Sequence, residues 1–164
     1  MPLCEVCLKS DILCGGCAAK MQNGQITQTE AEISRFLYNL SDKVKSLQDA
    51  KLLKVIDADV MILVAGKGDG AKLVGKGGAI VKALAKKYSK SIKVLEEKEF
   101  KPFMTELMQP LAVSGFNTVY TPEGEMYRIR VPSNQKQKQH ISEPALADTA
   151  AKLFGKKIEL VFED

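Results

Sequence analysis

Several residue types that enzymes and membrane proteins rely on are scarce in this sequence. It has no tryptophan and a single histidine, His140, so no pair of histidines is available for acid–base chemistry. Aromatic residues make up only 6% of the chain, which argues against nucleic-acid recognition led by base stacking. No run approaches the ~18 apolar residues of a membrane span, and the N-terminus lacks an uninterrupted apolar signal-peptide core. We therefore expect a cytoplasmic protein that binds no membrane.

Cysteine is absent after position 17, but the first seventeen residues contain four. Their spacing is C-x2-C-x6-C-x2-C, and two facing CxxC turns form the tetrahedral sulfur site that suits zinc. Disulfides are disfavoured in a reducing compartment, and a redox CxxC normally lies between a strand and a helix. An iron–sulfur cluster or rubredoxin-like iron stays the alternative. The spacing predicts a structural zinc site without an open coordination position, with the ligands Cys4, Cys7, Cys14 and Cys17.

Acidic residues are nearly absent between positions 66 and 95, where Asp69 is the only one. The formal net charge of the chain is +4, so the distribution of charge is more informative than its total. Lysines recur through a glycine-rich part of this stretch, which favours a surface that contacts phosphate. A solvated lysine face is the alternative. The lysines that we expect to contact phosphate here are Lys72, Lys76, Lys82 and Lys86.

The stretch GKGDGAKLVGKGGAIVKAL, residues 66–84, raises the question of which phosphate is bound. Gly70, Gly75 and Lys76 fit the P-loop pattern G-x-x-x-x-G-K-[ST], but Gly77 stands where a hydroxyl would hold magnesium. The other interpretation is that the stretch binds the phosphates of a nucleic-acid backbone. Glycines let successive N–H groups turn outward at a helix N-terminus, where the helix dipole favours a phosphate. Because the magnesium ligand of a P-loop is missing, binding to a nucleic-acid backbone is favoured over binding to a nucleotide.

Hydrophobic periodicity predicts one order of elements that occurs twice. Thr29 and Glu32 are expected to form a capping box at the start of the first long helix. Asp57 and Asp59 are interpreted as residues of a turn. The predicted elements of the first half are a helix, two strands, a helix and a strand, at about 30–50, 52–56, 60–65, 79–89 and 91–95. Those of the second half are a helix, a hairpin of two strands, a helix and a strand, at about 100–111, 113–121, 125–131, 143–154 and 156–163. The fold class is therefore α+β, with two units of about 60 residues in tandem.

The string LVGKGGAIVKALAKKYSKSIKV resembles the GxxG loop and flanking elements of a KH domain. In that family the loop clamps the backbone of about four nucleotides of single-stranded RNA. The resemblance implies that Lys76 adds charge at the tip of the loop, and that Ile80 and Val81 line an apolar groove for bases. The loop itself would be Gly75, Lys76, Gly77 and Gly78.

Residues from about 30 to 164 resemble the tandem KH region of the NusA transcription factor family, in the layout of its compact archaeal members. The cysteine spacing places the zinc knuckle at 1–24, and the resemblance implies a type II KH domain at 28–98 and a second, KH-like domain at 99–164. Counting back from the last strand puts the second loop at 141–144, where there is no glycine and Pro144 lacks an N–H. The second GxxG is therefore expected to be degenerate. RNA contacts there would fall to Lys136, Lys138 and His140, although a lone exposed histidine is also compatible with no role.

Together these patterns predict a single-stranded RNA-binding protein in transcription elongation or termination, or in RNA metabolism. The alternative is a protein–protein adaptor whose knuckle and second KH domain dock on a ribosome or RNA polymerase component. No enzyme and no small-molecule substrate are expected, because no cysteine outside the metal site is left as a nucleophile. A nucleotide-binding enzyme would instead need Lys76 and magnesium.

Overall fold

The computed structural model describes all 164 residues, which divide into two compact units. Unit 1 comprises residues 1–57 and 61–97, and unit 2 comprises residues 58–60 and 98–164. Each unit has a three-stranded sheet with helices, so the α+β class that the sequence predicts is confirmed. None of the helices is both long enough and apolar enough to cross a bilayer.

Unit 1 begins with two short helices and a longer one: α1 (Glu5–Lys9), α2 (Gly15–Gln22) and α3 (Gln28–Ser41). The sequence predicted that the longer helix would continue to about residue 50, and this was wrong. The backbone N–H groups of Lys43 and Val44 both donate to the carbonyl of Leu40, which ends the helix in a turn. Val44 and Leu47 still pack on the core after the turn, so the apolar stripe is real although the helix is shorter.

The capping box of α3 lies two residues earlier than the sequence predicted, at Thr27 and Glu30 rather than at Thr29 and Glu32. Thr27 Oγ1 accepts the N–H of Glu30 at 3.2 Å, and Glu30 Oε2 accepts the N–H of Thr27 at 3.3 Å. The motif Thr-x-x-Glu occurs twice in succession, and a tertiary contact selects the first copy. Glu30 is 1% exposed, and its other oxygen accepts the N–H of Val55 at 3.1 Å with Lys54 Nζ 3.5 Å away. The same carboxylate thus caps the helix and ties it to the first strand.

The sheet of unit 1 has the order β1-β2-β3. Its strands are β1 (Leu52–Asp57), β2 (Met61–Ala65) and β3 (Ile92–Glu96). β1 and β2 are antiparallel, and β2 and β3 are parallel, so a crossover connects them. The crossover consists of α4 (Gly70–Val74), a 3-10 turn at Lys76–Gly78 and α5 (Ala79–Tyr88). A core of fully buried aliphatic side chains joins α3, the sheet and the crossover: Ile33, Leu37, Met61, Leu63, Leu73 and Leu84.

Unit 2 repeats this arrangement. α6 (Phe100–Met108) precedes the antiparallel pair β4 (Gly115–Thr121) and β5 (Gly124–Pro132), and α7 (Glu143–Phe154) then leads to β6 (Lys157–Glu163), parallel to β5. A 3-10 segment at Ser133–Lys138 stands where unit 1 has α4. The ring of Phe100 meets three others, with centroids 4.9–6.0 Å apart, in the geometry that aromatic pairs favour. These are the rings of Phe116, Tyr127 and Phe154.

Candidate functional site

Each CxxC motif lies at the start of a short helix. Cys4 is the N-cap of α1 and Cys14 is the N-cap of α2, both with extended backbone angles. Cys7 and Cys17 follow three residues later, within the first turn. Side chains three residues apart lie on one side of a helical turn, so each motif presents two sulfur atoms in one direction. The chain brings the two pairs together.

The four sulfur atoms fit a tetrahedral metal ion. All of them lie within 4.8 Å of one another, and those of Cys4 and Cys14 are 3.8 Å apart. A tetrahedron with metal–sulfur bonds of about 2.3 Å has sulfur–sulfur edges of about 3.8 Å. The prediction that these cysteines converge on a site able to hold a metal is therefore confirmed. Four sulfur ligands leave no coordination position for a substrate, which suits a structural ion.

The hydrogen bonds around the sulfur atoms favour thiolate at particular positions. The N–H of Cys17 donates to Cys14 Sγ at 3.4 Å, and this bond, with the neighbouring thiols, lowers the pKa of Cys14 to about 6. The N–H of Cys7 lowers the pKa of Cys4. Although the N–H of Cys14 donates to Cys7 Sγ at 3.1 Å, burial and the other thiols raise the pKa of Cys7 to about 12. A bound dication replaces the thiol protons, because the thiolate is the ligand.

The knuckle, residues 1–24, packs against α3. Cys7 and Cys17 are buried while Cys4 and Cys14 are exposed, so one edge of the sulfur cluster faces the interior of unit 1. Arg35 of α3 also reaches the knuckle, where its Nε donates to the carbonyl of Cys7 at 3.1 Å. The buried apolar cluster between the knuckle and α3 is formed by Leu3, Cys7, Leu8, Cys17, Ile26 and Ala31.

The loop from Gly75 to Gly78 connects α4 to α5 through backbone angles that favour glycine. Gly75 ends α4 with φ +81°, and a Cβ atom there would lie 2.8 Å from Cγ1 of Ile80. Gly77 and Gly78 both adopt left-handed conformations, at φ +63° and +75°. A Cβ at Gly77 would meet nothing within 4 Å, so the space beside this residue is open. The glycines therefore shape a loop whose middle part is free on its outer side.

The N-terminus of α5 has no side chain that caps it. Its N-cap is Gly78, and the first turn of the helix contains no acidic residue. The side chain of Lys82 extends back toward this end of the helix: a Cβ atom added at Gly78 would lie 3.9 Å from its Cε. An N-terminus carries a partial positive charge and unpaired N–H groups, and the ammonium of Lys82 adds to that charge. This end of α5 is therefore suited to an anion.

Three of the four lysines expected at this site are exposed without an ion pair, namely Lys76, Lys82 and Lys86. Lys72 differs, because its Nζ lies 2.9 Å from Oδ1 of Asp69. Asp69 is 8% exposed, and its other oxygen accepts the N–H of Lys51 at 3.1 Å. The hydrogen bond from Lys72 is the main reason why the pKa of Asp69 is lowered. Lys72 thus stabilises the loop before α4 and has less charge to offer a ligand.

The expected apolar groove at Ile80 and Val81 needs a correction. Ile80 is 4% exposed and belongs to the core of unit 1, because its side chain fills the space next to Gly75. It has no surface that a base could contact. Val81 is half-buried and keeps part of its surface. The two residues are neighbours on an amphipathic helix, and only the second lies near its boundary with solvent.

The P-loop interpretation is inconsistent with the backbone of this segment. A phosphate-binding loop must leave its N–H groups free, but those of Leu73 and Gly75 donate to the carbonyls of Asp69 and Ala71, in and beside the helix α4. The N–H of Gly70 is also used, since it donates to Glu96 Oε1 at 3.1 Å. A Cβ at Gly70 would lie 2.9 Å from the same oxygen, so this glycine serves packing.

The corresponding helix start in unit 2 is closed by its own side chains. Ser142 is the N-cap of α7, and its Oγ accepts the N–H of Ala145 at 3.3 Å. Glu143 and Pro144 occupy the first turn, where a carboxylate repels anions and proline lacks an N–H. Because α7 has twelve residues and α5 has ten, the counterpart of Gly75–Gly78 is 139–142 rather than 141–144. The second loop therefore lies two residues earlier than the sequence predicted.

The basic residues predicted for unit 2 all precede this helix start in the chain. Lys136 and Lys138 belong to the 3-10 segment, and the ammonium of Lys136 lies 5.7 Å from the ring centre of Phe162. Lys136 and His140 line a shallow surface depression together with residues 139 and 141–143. Lys138 does not line it. Of the three predicted basic residues, the structure therefore brings Lys136 and His140 together.

Three residues near these sites had not been identified from the sequence: Arg35, Asp69 and Glu96. Each acts through a contact between segments distant in the chain, to the carbonyl of Cys7, the N–H of Lys51 and the N–H of Gly70. The one available signal was Asp69 as the single acid among many lysines. Nothing local distinguishes the other two from ordinary surface charges.

Comparisons with known proteins support the fold and go no further. No protein-family model matches the sequence, and no curated protein sequence is significantly similar to it. The structure is similar to 72 solved chains. One is the crystal structure of APE1850, with a TM-score of 0.56 over 79% of this chain and 96% of that chain. Because the two sequences are 18% identical, the similarity shows a shared fold only.

Proposed function

We propose that this protein binds single-stranded RNA through the N-terminus of α5, as a NusA-like protein with two type II KH domains in tandem. The observation that supports this most is the uncapped helix start behind Gly77 and Gly78, next to the exposed ammonium groups of Lys76 and Lys82. Outward N–H groups and mobile point charges attract a phosphate backbone without selecting a base sequence. A backbone clamp of this kind is sequence-tolerant.

The sheet topology is compatible with the KH assignment. Each unit places a helix before an antiparallel strand pair and then adds a third strand in parallel through a crossover helix. In unit 1 the glycine loop lies between the two helices of the crossover. The domain limits that we propose are 1–24 for the knuckle, 28–98 for the first KH domain and 99–164 for the second.

The metal that we propose for the four cysteines is zinc, in a structural role. Thiolate ligands in tetrahedral geometry suit Zn²⁺, which has no redox chemistry of its own. The chemistry of the protein would then be binding alone, without catalysis and without a small-molecule substrate. A setting in transcription or RNA metabolism follows from the NusA resemblance and not from the geometry.

Fluorescence anisotropy of a labelled single-stranded RNA pool tests the proposal. We expect binding that weakens as the salt concentration rises, because counterions are released from the backbone. Excess ATP with magnesium should not compete. Absence of RNA binding at low salt would refute the proposal, and competition by ATP at millimolar concentration would favour a nucleotide site instead.

A second candidate function, a protein–protein adaptor, is favoured by two exposed apolar side chains of the knuckle. Val6 is 69% exposed and Ile12 is 79% exposed, and large apolar side chains at this exposure are rare elsewhere in the chain. The partner would be a ribosome or RNA polymerase component. A partner captured from nuclease-treated extract by the wild type, and lost in the Val6→Asp, Ile12→Asp double variant, would support this function.

A further inference from the structure

Arg35 is a charged side chain for which the chain supplies no carboxylate. It lies in α3 between Ile33 and Leu37, both fully buried. Its Nε donates to the carbonyl of Cys7 at 3.1 Å, whereas its Nη2 is buried and has no hydrogen-bond partner. No Asp or Glu oxygen lies within 4 Å of its guanidinium.

This arrangement is unfavourable as it stands. A guanidinium stays charged throughout the pH range in which proteins fold, and a buried donor without a partner carries a desolvation cost. Arg35 as a whole is half-buried, so the cost concerns the inner part of its guanidinium, at Nη2. The carbonyl that Arg35 contacts belongs to Cys7, whose fully buried thiol is one of the four that cluster in the knuckle and can become thiolates.

We propose that Arg35 is a positioning residue for the metal centre and that its guanidinium balances the charge of the metal–thiolate cluster. The inference rests on the metal site proposed above. Four thiols and one dication give a cluster of charge −2 and release four protons. In the metal-free knuckle the guanidinium has no counter-charge, and in the loaded knuckle it has one. Arg35 therefore favours the loaded state.

The same charge acts on the redox state of an iron ion placed in the site. A ferric ion with four thiolates has charge −1, and one electron taken from the electrode converts it to a ferrous cluster of charge −2. A nearby cation stabilises the more negative, ferrous form. Arg35 should accordingly raise the reduction potential of the iron-substituted protein. A side chain that merely held α3 against the knuckle would not do so.

Two variants separate charge from hydrogen bonding. Arg35→Gln keeps an N–H donor for the Cys7 carbonyl and removes the charge, and Arg35→Lys keeps the charge and removes the planar fork. Arg128→Gln is the matched control, because Arg128 is half-exposed, pairs with Glu159 at 2.9 Å and belongs to unit 2. Circular dichroism of each full-length, metal-loaded variant checks folding first.

In competition with a chelating dye, we expect zinc affinity to fall about 10–100-fold in Arg35→Gln, the range typical of groups that orient metal ligands. The loss should be smaller in Arg35→Lys and absent in Arg128→Gln. After iron substitution, the reduction potential should be lower in Arg35→Gln than in the wild type, and close to the wild type in Arg35→Lys.

Three results would overturn the inference. An unchanged potential in Arg35→Gln would do so even if zinc affinity fell, since that would leave only a docking role. A reduction potential that is as low in Arg35→Lys as in Arg35→Gln would also overturn the inference. If Arg35→Gln does not fold, a reduction potential in Arg35→Lys well below that of the wild type is sufficient to overturn it. A wild type that binds neither zinc nor iron would instead refute the metal site itself, which is a distinguishable outcome.

Discussion

A Cβ atom at Gly75 would lie 2.8 Å from Cγ1 of Ile80, closer than non-bonded atoms approach. Ile80 is packed in the core of unit 1, so its side chain cannot move away to make room for the added atom. Gly77, two residues later, has open space beside it. Within one four-residue loop, Gly75 is required by the fold and Gly77 is available to a ligand. Substitutions at Gly75 therefore report on stability, and substitutions at Gly77 report on binding.

The lysines around this loop should determine how RNA binding depends on salt. If Lys76, Lys82 and Lys86 each neutralise one phosphate, the slope of log K against log salt is about −2, since each contact to a single strand contributes about −0.7. Changing any one of them to glutamine should make the slope shallower by about 0.7. Anisotropy titrations at four salt concentrations measure this. Lys101→Gln, an exposed lysine of α6, is the control and should leave the slope unchanged. Equal slopes for all variants would contradict the assignment.

Unit 2 should contribute less to RNA binding than unit 1. Ser142 Oγ already caps α7, so Ser142→Ala should lower the free energy of unfolding by about 1 kcal/mol while the RNA Kd stays the same. Urea melts and anisotropy measure the two effects. The Lys136→Gln, Lys138→Gln pair should weaken binding less than the Lys76→Gln, Lys82→Gln pair. A larger loss from the unit 2 pair would assign the main site to unit 2.

Removal of the metal should destabilise the knuckle and the helix that it covers. A ligand that binds only the folded state at about 1,000 times its Kd stabilises it by about 4 kcal/mol. Zinc analysis should find one ion per chain in the purified protein, and a strong chelator should lower the melting temperature. Cys14→Ser should bind zinc more weakly and melt near the chelated wild type. A melting temperature unaffected by the chelator would contradict the structural role.

Asp69 should give the stability of unit 1 a dependence on acidic pH. Its pKa is lowered in the folded state, mainly by the hydrogen bond from Lys72. A lowered folded pKa means that the contribution is complete above the unfolded value of about 3.9, and is lost as pH falls through the folded value. The difference in unfolding free energy between wild type and Asp69→Asn should therefore shrink below about pH 4. A difference that stays constant down to pH 2 would show that the carboxylate charge is not involved.

Elements with strong local signals were predicted well from the sequence. For α7, the predicted range of 143–154 agrees with the helix Glu143–Phe154, because Ser142 caps its start and Gly155 follows its end. The convergence of the four cysteines likewise follows from spacing alone, because each CxxC spans one helical turn. The identity of the ion stays a prediction.

Features that depend on tertiary contacts were missed. The start of α3 was placed at the wrong Thr-x-x-Glu motif because Glu30 is selected by its bond to Val55, 25 residues away. α4 was not predicted, since the glycines around it lower helix propensity. Its N-terminal end is held by contacts to distant segments, through the hydrogen bonds of Asp69 with the N–H of Lys51 and of the Gly70 N–H with Glu96. The groove at Ile80, which the KH resemblance implied, failed because the side chain fills the space beside Gly75 in the core of unit 1.

The most direct test of the RNA site compares two aspartates placed in the same backbone conformation. Gly77 has φ +63° and ψ +19°, and Gly155 of α7 has φ +63° and ψ +28°; neither has an atom within 4 Å of a Cβ. Aspartate tolerates the left-handed region better than most residues, so both variants should fold. The loss of stability should be larger at Gly155, because the carboxylate there lies at the negative end of α7.

Anisotropy of the labelled RNA pool is then measured for wild type, Gly77→Asp and Gly155→Asp at one low salt concentration. The account predicts that Gly77→Asp raises the Kd at least about tenfold, or 1.4 kcal/mol, because a carboxylate replaces the open space that a phosphate would occupy. Gly155→Asp should bind like the wild type. Equal Kd values for all three proteins, or equal losses in the two variants, would contradict a phosphate clamp at Gly75–Gly78.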